Sequence, residues 1–368
     1  MSEFPLLLIL VLGTAQPVAD PGPPSLQAEP VLLLGRCPVD SVTKIVAGRF
    51  ISSDEEQVLA VERTGDIKCL LTEVDSQSAM PVRVPVCRLV LLAGPKKGFQ
   101  RLWQSEMLIG PEAVATKLVP DIWTVGDIDA DSLLEVITIK GNSGRVFHFG
   151  RDSIAQQSFA IAGGLVIDAA CADIDLDAFP ELVLLEHWTD SSGAKVGVRV
   201  GQLMNNELRA KGRLVELPGC EPGIKFSLLG SARLEDYPGA PVIVLGEYPS
   251  LRPSRYYAFY NAGGDSFVLT GTPFPWQEWF SRDEVLAAGG LQLFNAGDTL
   301  IAYGYFVPGA QTGAAVSFAA LQDGEWRVLR LRQWAQKVVG LICRFQSGWL
   351  ELRNRHFYFY PEEPFYWR

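Results

Sequence analysis

Two nine-residue phrases constrain the fold more than anything else in this chain. The first places carboxylates at Asp127, Asp129, Asp131 and Glu135, and the second at Asp173, Asp175, Asp177 and Glu181, so each carries acids at positions 1, 3, 5 and 9. Like charges packed this closely repel, and a folded chain must either splay them into water or neutralise them with a cation. Apolar, β-rich stretches flank both phrases, which makes each a loop between two strands. A strand-loop-strand unit that recurs predicts a repeat architecture.

The spacing extends beyond these two copies. Gly48, Gly126, Ala172 and Ala232 each precede a nine-residue loop and an apolar strand. The stretch from Gly126 to Ala172 matches the ~40 to 50 residues of one four-stranded propeller blade. Within it, Asp121 to Gly126, Leu134 to Lys140, Arg145 to Phe149 and Gln157 to Ile161 read as successive strands separated by turn formers. The next interval repeats the meander with Val166 to Ala172, Glu181 to His187, Lys195 to Val200 and Leu208 to Leu217. Later units keep the rhythm without the acids: Gly290 to Phe294, Thr299 to Tyr305 and Val316 to Leu321, then Val338 to Phe345, Trp349 to Leu352 and His356 to Tyr360. First strands counted this way predict an all-β propeller of six four-stranded antiparallel blades, with room for a seventh inside the long interval between Gly48 and Gly126. A ring leaves no open edges only if its ends meet, so Val31 to Gly35 or the next strand is expected to pair with the last blade. Helical periodicity is confined to Trp276 to Ala288. The aromatic run from Phe357 to Tyr360, with Phe365 to Trp367 after it, reads as a final packed strand, with an exposed platform as the alternative.

The loop-and-strand pattern resembles the FG-GAP repeats of integrin α-chain propellers and the related VCBS repeats of secreted bacterial proteins. The resemblance rests on Val125 to Val136 and Ala172 to Leu182, with weaker echoes over most of residues 41 to 360. It implies Ca2+ held by Asp127, Asp129, Asp131 and Glu135 in one loop and by Asp173, Asp175, Asp177 and Glu181 in the other, each with a backbone carbonyl at position 7. The family carries Gly at position 6, where this chain has Ser132 and Ala178, and a left-handed backbone there strains any other residue. A solvated acidic turn is therefore the alternative to a metal loop. The corresponding loops at 49–57 and 233–241 begin with Arg49 and Arg233 in place of the first acid, so they are expected to hold no ion, with the cationic side chain as a candidate replacement.

The apolar run from Pro5 to Leu12, followed by Gly13 and Ala15, reads as a signal peptide over residues 1–15, too short to span a bilayer. Residues 16–35 read as a Pro-rich linker and first strand, and residues 36–368 as one propeller domain. The expected location is secreted, periplasmic or cell-surface, with no membrane span after cleavage. A net charge of -10 removes any general electrostatic reason to bind nucleic acid. Six cysteines permit disulfides in an exported chain, with Cys69 and Cys87 the first candidate pair and Cys171 and Cys343 reading as buried thiols.

Catalytic patterns are sparse. The nucleophile elbow, the zinc-protease helix, the phosphate-binding loop and the dinucleotide fingerprint do not occur, and His148, His187 and His356 all fall in or beside strands. The sequence favours a non-catalytic exported scaffold that engages a protein or glycan partner. The alternatives are a carbohydrate-active enzyme or glycan-binding propeller, and a structural subunit of a surface complex.

Overall fold

The strand that begins at Glu181 shows how this chain builds its core. The run from Leu182 to Leu185 is apolar at every position, and a strand buries such a run only if both faces are covered. In the computed structural model, Leu182 and Leu184 enter one core with Ile137, Ile139 and Val146, while Val183 and Leu185 enter another with Val198, Tyr257 and Phe259. The structure describes residues 32–361 except 53, 73–78, 111–118, 152, 218–224, 234–240, 249–254, 270–291, 297–298, 307–312, 323–324, 336–340 and 347.

The strands run, in chain order, β1 (Leu32–Arg36), β2 (Val42–Gly48), β3 (Gln57–Thr72), β4 (Ala79–Leu92), β5 (Arg101–Gln104), β6 (Leu108–Ile109), β7 (Asp121–Gly126), β8 (Glu135–Lys140), β9 (Ser143–Phe149), β10 (Ile154–Ala160), β11 (Leu165–Ala172), β12 (Glu181–Asp190), β13 (Gly193–Met204) and β14 (Glu207–Glu216). They continue as β15 (Lys225–Arg233), β16 (Pro241–Tyr248), β17 (Arg255–Asn261), β18 (Phe267–Leu269), β19 (Gln292–Ala296), β20 (Thr299–Phe306), β21 (Gly313–Gln322), β22 (Glu325–Ala335), β23 (Leu341–Phe345), β24 (Gly348–Arg353) and β25 (His356–Tyr360). The fold is nearly all β, and a single 3-10 turn at Pro95–Lys97 is the one helical element among the described residues.

Consecutive strands pair antiparallel into sheets β2-β3-β4-β5, β15-β16-β17-β18 and β19-β20-β21-β22, with β6 added to β4. The meanders β7 to β10 and β11 to β14 form one eight-stranded sheet, joined by a single parallel bridge between Ala160 and Glu207. The last sheet has the order β1-β25-β24-β23, so the N-terminal strand completes a unit built from the far end of the sequence, with Leu32 opposite Phe359. This is the end-to-end pairing expected from the pattern.

Period-2 alternation lets the sheet β2-β3-β4-β5 pack against a neighbour on each face. Val58, Ala60, Val90 and Leu92 pack with Leu350, Leu352 and Phe357 of the last sheet, whereas Leu59, Val61, Leu89 and Leu91 pack with Val136 and Phe149 of the following meander. Inner strands approach closely where side chains are small. A Cβ on Gly126 would lie 2.2 Å from Cys171 Sγ, so glycine at the end of β7 is what lets β11 pack against it.

Some sequence expectations need revision, and others lie outside the described residues. The Cys69–Cys87 pair does not form: on the β3–β4 hairpin Cys69 sits opposite Val82, while Cys87 sits opposite Arg63. Five residues of strand, roughly 16 Å, separate the two positions, far beyond disulfide reach. The long interval after Gly48 is spent on that extended hairpin, and among the described residues the strands form five sheets, three of four strands, one of five and one of eight. Residues 1–31, the candidate helix at 276–288, the loop at 234–240 and the aromatic run at 365–367 lie outside the described residues.

Candidate functional site

Both acidic phrases are loops between the first and second strands of their meanders, as the pattern requires. Their backbones are closely alike. Ala130 and Ser132 have φ of 60° and 73°, and Leu176 and Ala178 have φ of 64° and 71°. Positions 4 and 6 are thus left-handed in both loops without glycine, at a cost of about 1–2 kcal/mol per residue. Carboxylates within each loop accept from nearby N–H groups and so offset part of that cost. Asp127 accepts from Asp131 at 2.9 Å and from Ser132 at 2.9 Å, Asp131 accepts from Leu133 at 2.7 Å, and Asp177 accepts from Phe179 at 2.8 Å.

Position 9 has a constant structural task in three loops. Glu135 Oε2 accepts the N–H of Ile128 at 2.9 Å, and Glu181 Oε2 accepts the N–H of Ile174 at 3.0 Å. In the loop that follows β2, Gln57 Oε1 accepts the N–H of Phe50 at 2.8 Å. All three position-9 side chains are buried, and so are the residues whose N–H they hold. A buried side-chain oxygen is therefore required there, and each loop settles its charge differently.

In the loop at 49–57 there is no charge to settle, because the position-9 residue is an amide whose Nε2 donates to the Glu55 carbonyl at 2.5 Å. Arg49 is exposed at the surface and uses its carbonyl to accept the Leu134 N–H at 2.6 Å.

In the loop at 127–135 the position-9 residue is a carboxylate set among other acids. Donor oxygens of Asp127, Asp129 and Asp131 converge within 4.8 Å of one another, and Asp129, Glu135 and His148 form a second such group. His148 Nδ1 lies 3.5 Å from Asp129 Oδ2 and 3.6 Å from Glu135 Oε1. Burial, with the charges of the three aspartates added, pushes the Glu135 carboxyl up to about 8. Burial likewise raises Asp127. Hard carboxylate oxygens around a buried acid suit a hard divalent cation such as Ca2+ or Mg2+, and these residues fit one.

The loop at 173–181 already holds a cation of the protein's own. Lys211, on β14, sends its Nζ 2.5 Å from Asp175 Oδ2, 2.8 Å from Asp177 Oδ2 and 2.7 Å from Glu181 Oε1. Burial works against the ammonium's charge, but the bonds to Asp175, Asp177 and Glu181 outweigh it and hold Lys211 above the usual lysine range. The same contact draws Asp177 below the usual carboxylate range. Glu181 is pushed upward by burial and pulled back by Lys211. Asp173, Asp175 and Glu181 bring carboxylate oxygens within 4.8 Å of one another, but nothing in the acidic phrase itself signals the lysine.

The remaining residues singled out by sequence are structural in these surroundings. Phe357 and Tyr360 are buried, and Tyr358 lies under the Arg353 guanidinium at 4.4 Å from its ring centroid, so β25 is a packed strand. Cys343 is buried and Cys171 half-buried, both as free thiols held above their ordinary pKa by burial. The chain matches no protein-family model and no curated protein. Its function is therefore argued from geometry.

Proposed function

We propose that this chain is a non-catalytic, exported binding scaffold: a β-propeller of six blades whose acidic loop at 127–135 is stiffened by Ca2+ and whose long hairpin presents a surface to a protein or glycan. The observation that carries this reading is the completion of the last sheet by β1, together with cores that join the last sheet to β2–β4, β3–β5 to the meander β7–β10, that meander to β11 and β12, and β12 and β13 to β17 and β18. Side-by-side first strands support a central axis: β23 lies against β2, β7 against β11, β11 against β15, and β15 against β19. Each of these strands opens its meander, which is how blades radiate from a shared centre.

The hairpin supplies the surface. β3 and β4 pair as far as Thr72 and Ala79, while the pairing of β2 with β3 stops at Val42 opposite Glu62, and residues Arg63 to Lys68 are exposed. Loops and hairpins held by a rigid scaffold are where recognition concentrates. Among the described residues no helix is long and apolar enough to cross a membrane.

In the loop at 127–135, Asp127, Asp129, Asp131 and Glu135 would hold the ion, which would supply positive charge to a buried acid and tie the loop to β8. A ligand that binds only the folded state stabilises by about 2.7 kcal/mol at a hundredfold excess over its Kd. Differential scanning calorimetry of the full chain with and without chelator is the test. The melting temperature should fall by several degrees on chelation and recover with Ca2+, and Asp127→Ala with Asp129→Ala should abolish the response. An unchanged melt in excess chelator removes the metal from this reading, and turnover of an oligosaccharide panel removes the non-catalytic assignment.

A further inference from the structure

We infer that the loop at 173–181 is closed to metal ions by Lys211, whose ammonium occupies the cation position permanently, so that the protein carries one metal loop rather than two. The inference rests on the reading of 127–135 as a cation loop, and it departs from the equivalence of the two phrases in sequence.

Three observations carry it. An ammonium has three N–H donors, and all three are used on three different carboxylates of one loop. The lysine is supplied from outside the acidic cluster, by β14, and only 16% of its side chain is exposed, so a hydrated ion has no open approach along that side. The two meanders also differ at this position. Leu182 pairs with Gly201 and Val200 with Lys211, while in the preceding meander Val136 pairs with Phe147 and Val146 with Gln157. Gln157 therefore stands where Lys211 stands, and it is neutral. One step along the same ladders, Gln202 takes the place of His148 and adds a hydrogen bond to Asp177.

A tethered cation has a physical advantage over a free one. Its position is fixed when the sheet folds, so it loses no translational freedom on binding and its occupancy does not depend on the concentration of any ion. The loop at 127–135 responds to its surroundings; the loop at 173–181 does not. With the amide at Gln57, three related loops use a neutral side chain, an exchangeable ion and a covalent ion for the same buried position.

The test counts ions on the full chain after chelator dialysis, by calorimetric titration with Ca2+ and by sensitised luminescence with Tb3+. The native chain should bind one ion, Asp127→Ala with Asp129→Ala none, and Lys211→Gln two. Two ions on the native chain, any ion on the Asp127/Asp129 variant, or no gain on Lys211→Gln overturns the inference. Should Lys211→Gln fail to fold, the Asp127/Asp129 variant decides, because its second loop is untouched. A native chain that binds no ion while Lys211→Gln binds one would remove the first loop as a metal site and leave the role of Lys211 standing.

Discussion

Gln57→Glu tests the idea that a position-9 carboxylate needs a positive partner. In the native loop the Gln57 amide is 5% exposed, accepts from Phe50 at 2.8 Å and Ile51 at 3.1 Å, and donates to the Glu55 carbonyl at 2.5 Å. The substitution keeps the two acceptor contacts but removes the donor, leaving two acceptors face to face. Loss of a buried hydrogen bond with an unsatisfied partner costs about 1–3 kcal/mol, and an uncompensated buried charge adds to it, so a total of about 3 kcal/mol is expected at neutral pH. Burial raises the folded-state pKa of the introduced carboxyl, so the folded protein holds the proton more tightly than the unfolded one. The penalty is then small at about pH 4, where the protonated group can donate to Glu55, and grows as pH rises towards about 8. Urea denaturation followed by tryptophan fluorescence at both pH values measures it, with Gln57→Leu as a control whose loss should not change with pH. A loss below about 1 kcal/mol at pH 8, or one equal at both pH values, refutes the reasoning.

Two further outcomes follow from the packing. Arg199→Met should destabilise the protein by about 3–5 kcal/mol in urea, because Glu186 is fully buried and bound by Arg199 Nε at 2.6 Å; pairing it with Glu186→Leu should recover most of the loss, and equal losses in the two variants would contradict this. Removing residues 32–36 uncovers the edge of β25 and should lower the melting temperature and cause concentration-dependent association in light scattering, whereas a monomer of native stability would show that β1 is dispensable.

Much of the described fold could be read from alternation. The strand at Asp121–Gly126 and that at His356–Tyr360 fall where turn residues and β-formers place them, because each is short and bounded on both sides. The two acidic loops were visible for the same reason. Lys211 was not, since it sits in a mixed polar strand, and only the register of β13 with β14 brings it beneath acids some thirty residues earlier. Gln57 left a fainter trace: it occupies position 9 of an aligned loop, and an amide there preserves the acceptor that the N–H of Phe50 requires. Cys69 and Cys87 flank a polar, Pro-containing stretch, but the register of β3 with β4, which no local pattern specifies, sets them against Val82 and Arg63 instead.

The seam between β1 and β25 sets a condition on how the molecule comes into being. The strands that meet there are among the first and last of the described chain to be synthesised, so the final sheet stays incomplete until β25 has emerged. Closing so long a loop is entropically costly and slow. Until then the edges of the first and last strands remain open to any neighbour, and a second copy arriving with its own β1 would be a competent substitute. Folding of such a chain should accordingly succeed better when copies are dilute than when they are crowded.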